Sequence, residues 1–419
     1  MLQLISDNPL PVNRFLSQFS NLFSKPLFVS FSIYFTGLFL ELKRTNIQSI
    51  TDKAPLAAYQ NIQYFISEAK WDENALNSHR LTLLDSNPAT KATKRGVLVI
   101  DDSGCKKWGI HFDGVKYQHF SGADSKTDMA NCNVVVFSAY CDSKKRYPVN
   151  FKPYIPEDDR LCTSYEVIFK SKLQLAEELI EHVISIDMPF SDIIFDAWYF
   201  SNNFIEFIMN NNLYWISEAD INRQISYRGK WVRADELVKL IPSTKFNRKV
   251  THTHSNGKTS SFLVYGFITK LKGISEKLLV TVAVGQWNTN DPKNVHIFVS
   301  NHLSLSPEEV VRRYTLRWGI ECIFRDLKEF VVFDHYQVRS LKAISRHWQL
   351  SCLAYTFLMW GKVTGGLTHH LKEKRLKTLG DVLNAVRVLI SLKGLDWIEK
   401  NPQAYRHHLG VTANLKLAA

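Results

Sequence analysis

The segment from Gly96 to Ala219 constrains the fold more than any other part of the chain. Three short apolar runs, GVLVID (Gly96 to Asp101), CNVVVFSAYC (Cys132 to Cys141) and YPVNFKPYI, precede a long amphipathic stretch, SYEVIFKSKLQLAEELIEHVISI. The strand-like DIIFDA (Asp192 to Ala197), the helical NNFIEFIMNNN and the strand-like LYWISEA (Leu213 to Ala219) complete a β-β-β-α-β-α-β order. That order predicts a mixed sheet flanked by helices, an α/β core with three early strands and two late ones. Its first and fourth strands are expected to be neighbours. Both end on a carboxylate, Asp101 after GVLVI and Asp196 after DIIF. Charge at the end of an apolar strand is costly unless something neutralises it. A helix cap or a loop ion pair is the ordinary explanation, and convergence on a cation is the chemical one.

The flanking sequence divides the chain further. Residues 1–92 carry helical periodicity without strands, and 93–219 hold the first part of the core. A β-rich insertion over 220–303 contains SSFLVYGFITKL, KLLVTVAV and NVHIFVS; a helix at 304–332 completes the core, and 333–419 form a helical C-terminal region. The most hydrophobic stretch, LFVSFSIYFTGLFLEL (Leu27 to Leu42), is interrupted by Ser, Thr and Gly and is shorter than the ~20 apolar residues of a membrane span. It reads as a buried helix. The N-terminal MLQLISDNPLPVNRF lacks the basic start and apolar core of a signal peptide.

The helix within 304–332 has a strong start: Ser306 as N-cap, Pro307 at the first helical position and Glu309 placed to close a capping box. Leu316, Ile320, Ile323, Leu327 and Phe330 form its core stripe. At ~100° per residue, Tyr314, Arg317, Glu321 and Lys328 then share a different face. A solvated face with an i,i+4 ion pair is the plain reading of such a row. If Glu321 is brought towards Asp101 and Asp196, however, three carboxylates converge without Cys or His. That is the donor set of a hard cation such as Mg²⁺ or Mn²⁺, and two such ions suit phosphodiester chemistry.

The chain carries a net charge of +12 and a pI near 9.2, which favours a polyanionic partner. The surplus is uneven: from Val332 onward there are 13 Lys and Arg against 5 Asp and Glu. The KEKRLK run (Lys372 to Lys377) in this region is read either as a contact to a DNA backbone or as a solvated loop. Six cysteines lack C-x-x-C pairs or zinc-like His spacing and read as reduced thiols of a cytosolic protein. His252, His254, His369, His370, His407 and His408 are read as surface or DNA-proximal residues.

With these residues in place, the chain resembles the DDE transposases of bacterial insertion sequences, in the IS-four-like group with a ribonuclease-H-like core. The helix fits that group's Y-(2)-R-(3)-E-(6)-K motif at every position with Tyr314, Arg317, Glu321 and Lys328. The stretches IDDSG, FDAWYFSN and YTLRWGIECIFRDLK, with YFTGLFLEL, most resemble the IS-seven-hundred-and-one branch. The resemblance implies that Asp101, Asp196 and Glu321 bind two Mg²⁺ or Mn²⁺ ions. It implies that Arg317 and Lys328 contact phosphates and that Tyr314 positions the terminal nucleotide. Asp102 stays open as the alternative to Asp101, although Ser103 two residues on favours Asp101. Trp287 is either a stacking platform for a displaced base or a packing residue of the insertion. The implied protein is a cytoplasmic, nucleoid-associated homo-oligomer that binds terminal inverted repeats and target DNA. A non-catalytic DNA-binding derivative and a metal-dependent nuclease without strand transfer are the alternatives.

Overall fold

The computed structural model describes residues 3–42, 46–119, 129–253, 259–285, 294–365 and 376–417, with side chains to residue 410 and without those of 252 and 253. Trp287, His254, His369, His370 and the first four residues of KEKRLK lie outside them, as does the side chain of His252.

Among the described residues, ten strands form one sheet. Its centre is β1 (Val97–Lys106), flanked by β2 (Lys116–His119), β3 (Met129–Cys141) and β4 (Arg146–Tyr154) on one side. On the other side lie β5 (Ile193–Phe195) and β6 (Trp215–Glu218). β1 runs antiparallel to β3 and parallel to β5, and β5 runs parallel to β6, so the first and fourth core strands are neighbours as expected. This is a mixed α/β core with the expected strand order. The short edge strand β2 was not anticipated.

The β-rich segment extends this sheet. A separate hairpin, β7 (Gln224–Tyr227) and β8 (Lys230–Arg233), comes first. Then β9 (Arg248–Thr253), β10 (Thr259–Lys270), β11 (Lys277–Gly285) and β12 (Val295–Ser300) form an antiparallel run whose last member pairs with β6. The sheet is therefore continuous from the core strands into the insertion.

Among the described residues five α-helices precede β1: α1 (Leu10–Ser17), α2 (Lys25–Gly37), α3 (Ile47–Thr51), α4 (Tyr59–Ser67) and α5 (Glu73–Asp85). The apolar Leu27–Leu42 stretch supplies most of α2, whose Phe31, Tyr34 and Phe35 are buried. Between β4 and β9 come α6 (Arg160–Thr163), α7 (Lys172–Ser185), α8 (Asn202–Asn210) and α9 (Ala234–Leu240). α7 is shorter than its amphipathic pattern suggested. Ser171 caps it in a complete capping box with Gln174, and Tyr165 in the preceding loop has a left-handed backbone, φ 58°. The terminal helices are α10 (Pro307–Thr315), α11 (Trp318–Val331), α12 (Leu341–Thr364), α13 (Leu379–Lys400) and α14 (Pro402–Leu417). α13 runs unbroken through Lys393 and Gly394, and Gly394 packs closely on Leu4.

α12 is buried almost all round, as a helix at the centre of a core must be. It ties the N-terminal helices to the sheet. Arg346 pairs with Glu73 and donates to the carbonyls of Phe65, Ala69 and Trp71, while His347 Nδ1 lies 2.8 Å from the Tyr34 hydroxyl. From α5, the fully buried Arg80 donates to the carbonyls of Pro148 and Val149 on β4. Each buried charge is thus satisfied by several oxygens, as burial requires. All six cysteines are buried and unpaired. Among the described residues no helix is long and apolar enough to cross a membrane.

Candidate active site

β1 and β5 present the two aspartates at one end of their shared ladder. Their register pairs are Leu98 with Ile193 and Val99 with Ile194, and each acid lies two residues beyond the last pair. Asp196 also caps a 3₁₀ turn, Ala197–Tyr199, by accepting the backbone N–H of Trp198 at 3.0 Å. Burial raises the pKa of both aspartates. Asp101 is pushed up to about 8, by burial first and then by the field of Asp196, with Arg317 opposing. Burial likewise raises Asp196 against the opposing pull of Arg317.

The helix that carries the third acid is not continuous. Leu316 and Arg317 form a tightened turn between α10 and α11, with backbone bonds from Arg317 to Tyr314 and from Gly319 to Leu316. This i→i+3 pattern advances ~120° per residue instead of ~100°, so the expected single face is broken between Tyr314 and Arg317. Nor is the capping box complete. Ser306 Oγ accepts the Glu309 N–H, but the Glu309 carboxylate pairs with Arg313. Arg313 in turn pairs with the fully buried Asp192 at the start of the β5 segment. Of the expected core stripe, Ile320, Ile323 and Leu327 are fully buried, while Leu316 and Phe330 are half-buried against the same core.

Gly319 brings α11 against the sheet. A Cβ there would stand 2.6 Å from Cys141 Sγ and 3.1 Å from its Cβ, far inside contact distance. The close approach sets Arg317 and Glu321 over β1. Arg317 then bridges two of the acids, 3.2 Å from Asp101 Oδ2 and 2.5 Å from Glu321 Oε1. Lys328 donates to the Gly104 carbonyl at 2.8 Å, three residues along β1 from Asp101. Tyr314 packs on Phe298 of β12 with ring centroids 4.6 Å apart, and the Arg317 guanidinium lies 5.9 Å from its ring. Tyr314 and Arg317 line a cavity of about 460 Å³ together with Glu218, His296, Phe298 and Trp318. His296 pairs with Glu218 at 2.7 Å. Neither sequence pattern nor spacing had singled out these last four residues.

Asp102 faces the other way, as alternation along a strand requires. Its Oδ2 accepts Lys172 Nζ at 2.8 Å and its Oδ1 accepts the Tyr199 hydroxyl at 3.0 Å. Both oxygens are therefore engaged with α7 and with the turn after Asp196.

The carboxylates suit a hard divalent cation by donor type. Burial disfavours the ionised forms of Asp101 and Asp196, and a bound cation would offset that cost. Among the described residues no three His, Cys, Asp or Glu side chains already stand in a cation-binding arrangement. Arg317 supplies the positive charge between Asp101 and Glu321.

Residues 18–229, half of the chain, match the family described as DDE superfamily endonuclease, and residues 170–357 match the transposase DDE domain. The chain belongs to the DDE transposase family. It is similar to a probable transposase for insertion sequence element IS701 from Microchaete diplosiphon, with 24% identity over 306 residues that cover 70% of this chain and 72% of that one. Among solved structures, a piggyBac transposase synaptic complex with hairpin DNA aligns with a TM-score of 0.46 and 12% identity, covering 96% of this chain and 80% of the other. The Drosophila P element transposase strand transfer complex aligns at a TM-score of 0.24 and 9% identity, covering 93% and 87%. This transposase is thus an IS701-like, DNA-transposing enzyme, and transposases of its family use divalent metal ions.

Proposed function

We propose that this transposase binds the terminal inverted repeats of its own element, frees the 3′-OH ends and joins them to target DNA, using Asp101, Asp196 and Glu321 to hold two Mg²⁺ or Mn²⁺ ions. The observation that carries this reading is the meeting of Asp101 and Glu321 on Arg317, with Asp196 close enough to Asp101 to raise its pKa. When bound, the cations would supply a polarised nucleophile and charge stabilisation at phosphorus. The protein's part is to bring the three carboxylates together and to fix the phosphate; burial disfavours the charged forms of Asp101 and Asp196, a cost that a bound cation would offset.

In the first step a water oxygen attacks phosphorus, the P–O3′ bond breaks, and the 3′ oxygen leaves as the hydroxyl. In the second that 3′ oxygen attacks a target phosphate and displaces another 3′ oxygen, so bonds balance without a high-energy cofactor. Arg317 can exchange its carboxylate partners for phosphate oxygens in a bidentate contact, and Lys328 offers a point charge beside β1. Tyr314 positions the terminal nucleotide at the mouth of the cavity. Asp102, held by Lys172 and Tyr199, is not assigned to the cation. Residues 1–92 serve DNA-end binding, 333–419 contact the backbone, and the enzyme works as a homo-oligomer on paired ends in the nucleoid.

The test is Mg²⁺-dependent cleavage of a supercoiled plasmid carrying both ends, comparing the wild type with Glu321→Gln. Cutting at the ends that the substitution abolishes, with DNA binding retained, supports the reading. Equal cutting by both proteins removes Glu321 from the site. Binding without cutting by either, with Mn²⁺ also tried, leaves a DNA-binding derivative.

A further inference from the structure

The two aspartates repel one another, and the ladder that joins their strands stops before it reaches them. Val99 and Ile194 are the last β1–β5 register pair, and Asp101 and Asp196 project beyond it. β1 itself continues past Asp101 to Lys106 on its pairing with β3, whereas Asp196 stands just after the last residue of β5; with two like charges facing each other, a contact beyond the β1–β5 ladder must fix the spacing of Asp101 and the Asp196 turn.

Asp102 provides that link. Its Oδ1 accepts the hydroxyl of Tyr199, the last residue of the turn that Asp196 caps. Tyr199 is 1% exposed and cannot swing away, so the bond ties β1 directly to the turn. Lys172, at the first position of α7, makes a second tie. Its Nζ donates to Asp102 Oδ2 at 2.8 Å and sits 5.0 Å from the centre of the Trp198 ring, two residues after Asp196. One carboxylate therefore grips the Asp196 turn twice, once through a hydroxyl and once through an ammonium resting on an indole. Asp101 and Asp102 are consecutive on a strand, so a shift of Asp102 moves Asp101 with it.

We infer that Asp102, Tyr199 and Lys172 form a clamp that sets the spacing of the Asp101 and Asp196 carboxylates for a divalent cation, making these three positioning residues of the transposase. This rests on the proposed assignment of Asp101, Asp196 and Glu321 to the cation. Partners that orient metal-binding carboxylates typically contribute 10–100-fold in metal affinity.

The experiment is Mn²⁺ binding to the full chain, followed by electron paramagnetic resonance, for the wild type, Tyr199→Phe, Asp102→Asn and Glu321→Gln, with melting curves in EDTA for each. Tyr199→Phe removes one oxygen and keeps the ring. The expected result is about tenfold weaker Mn²⁺ binding with Tyr199→Phe, and cleavage that returns towards the wild-type rate when Mn²⁺ is raised. Asp102→Asn breaks the ion pair from the other side and decides the question should Tyr199→Phe not fold. Wild-type Mn²⁺ affinity in the folded clamp variants, even with a lower melting temperature, makes the contacts merely structural and overturns the clamp while leaving the three-acid assignment standing. If Glu321→Gln binds Mn²⁺ as the wild type does, the assignment itself fails and the clamp fails with it.

Discussion

Replacing Arg317 with alanine should destabilise the cation-free protein and make it more responsive to divalent cations. Arg317 is 21% exposed and pairs with Asp101 and Glu321, which are 16% and 31% exposed. A charge-assisted hydrogen bond at such a partly buried position is worth about 1.5–3 kcal/mol. The two share one guanidinium and are screened in part by solvent, so their joint loss is about 3 kcal/mol rather than a simple sum. For a chain of 419 residues, an unfolding entropy of ~2.1 cal/mol/K per residue converts this to a drop of about 3 °C in melting temperature. Near neutral pH the loss is smaller, because Asp101, pushed up to about 8 even with Arg317 beside it, already holds a proton there and the pair lacks its full charge, so the comparison belongs above about pH 8. Scanning calorimetry in EDTA and in saturating Mg²⁺ is the assay. Mg²⁺ should raise the melting temperature of Arg317→Ala more than that of the wild type, in which the cation must first displace the guanidinium. Equal melting temperatures in EDTA, or an equal Mg²⁺ increment in both proteins, would refute the reasoning.

Three further outcomes follow from the same geometry. Asp101 has a folded pKa pushed up to about 8 against an ordinary value of 3.8; the native state therefore holds a proton that the unfolded chain has already released. Its contribution to cation-free stability is full below about pH 4 and is lost as pH rises through about 8. Melting temperature in EDTA should fall across that window, and Asp101→Asn should flatten the slope. Cation binding competes with the same proton, so the Mg²⁺ needed for half-maximal cleavage should decrease by up to about tenfold per pH unit until the carboxyl is ionised. Gly319→Ala would ordinarily favour an internal helix position by about 1 kcal/mol. Here the added Cβ meets Cys141 Sγ at 2.6 Å, so the variant should lose both stability and cleavage, with Gly319→Ala plus Cys141→Ala recovering part of each.

The core was legible because its signals are local. The apolar runs gave β1 and β5, and the order of strands and helices gave the mixed sheet, but β1 does not end on Asp101: its pairing with β3 carries it on to Lys106. The stripe Ile320, Ile323, Leu327 gave the buried side of α11. What escaped depends on contacts between distant segments. Lys172 and Asp102 are 70 residues apart, and nothing in either neighbourhood marks them as partners. The tightened turn at Leu316–Arg317 carries no Gly or Pro; it accompanies the packing of Tyr314 on Phe298 and of Gly319 on Cys141. The pairing of β12 with β6 is likewise a long-range choice of sheet edge that alternation within either strand does not specify. Glu309 sits where a capping box would use it, yet Arg313 with its buried partner Asp192 competes for the same carboxylate.

The central claim is that Asp101, Asp196 and Glu321 make one cation site. It is tested most directly by counting Mn²⁺ ions bound to the transposase on a transposon-end duplex, in the wild type and in Asp101→Asn, Asp196→Asn and Glu321→Gln. The account predicts two ions per site in the wild type and loss of at least one in each variant, with DNA still bound. Unchanged stoichiometry and affinity in all three variants would contradict it.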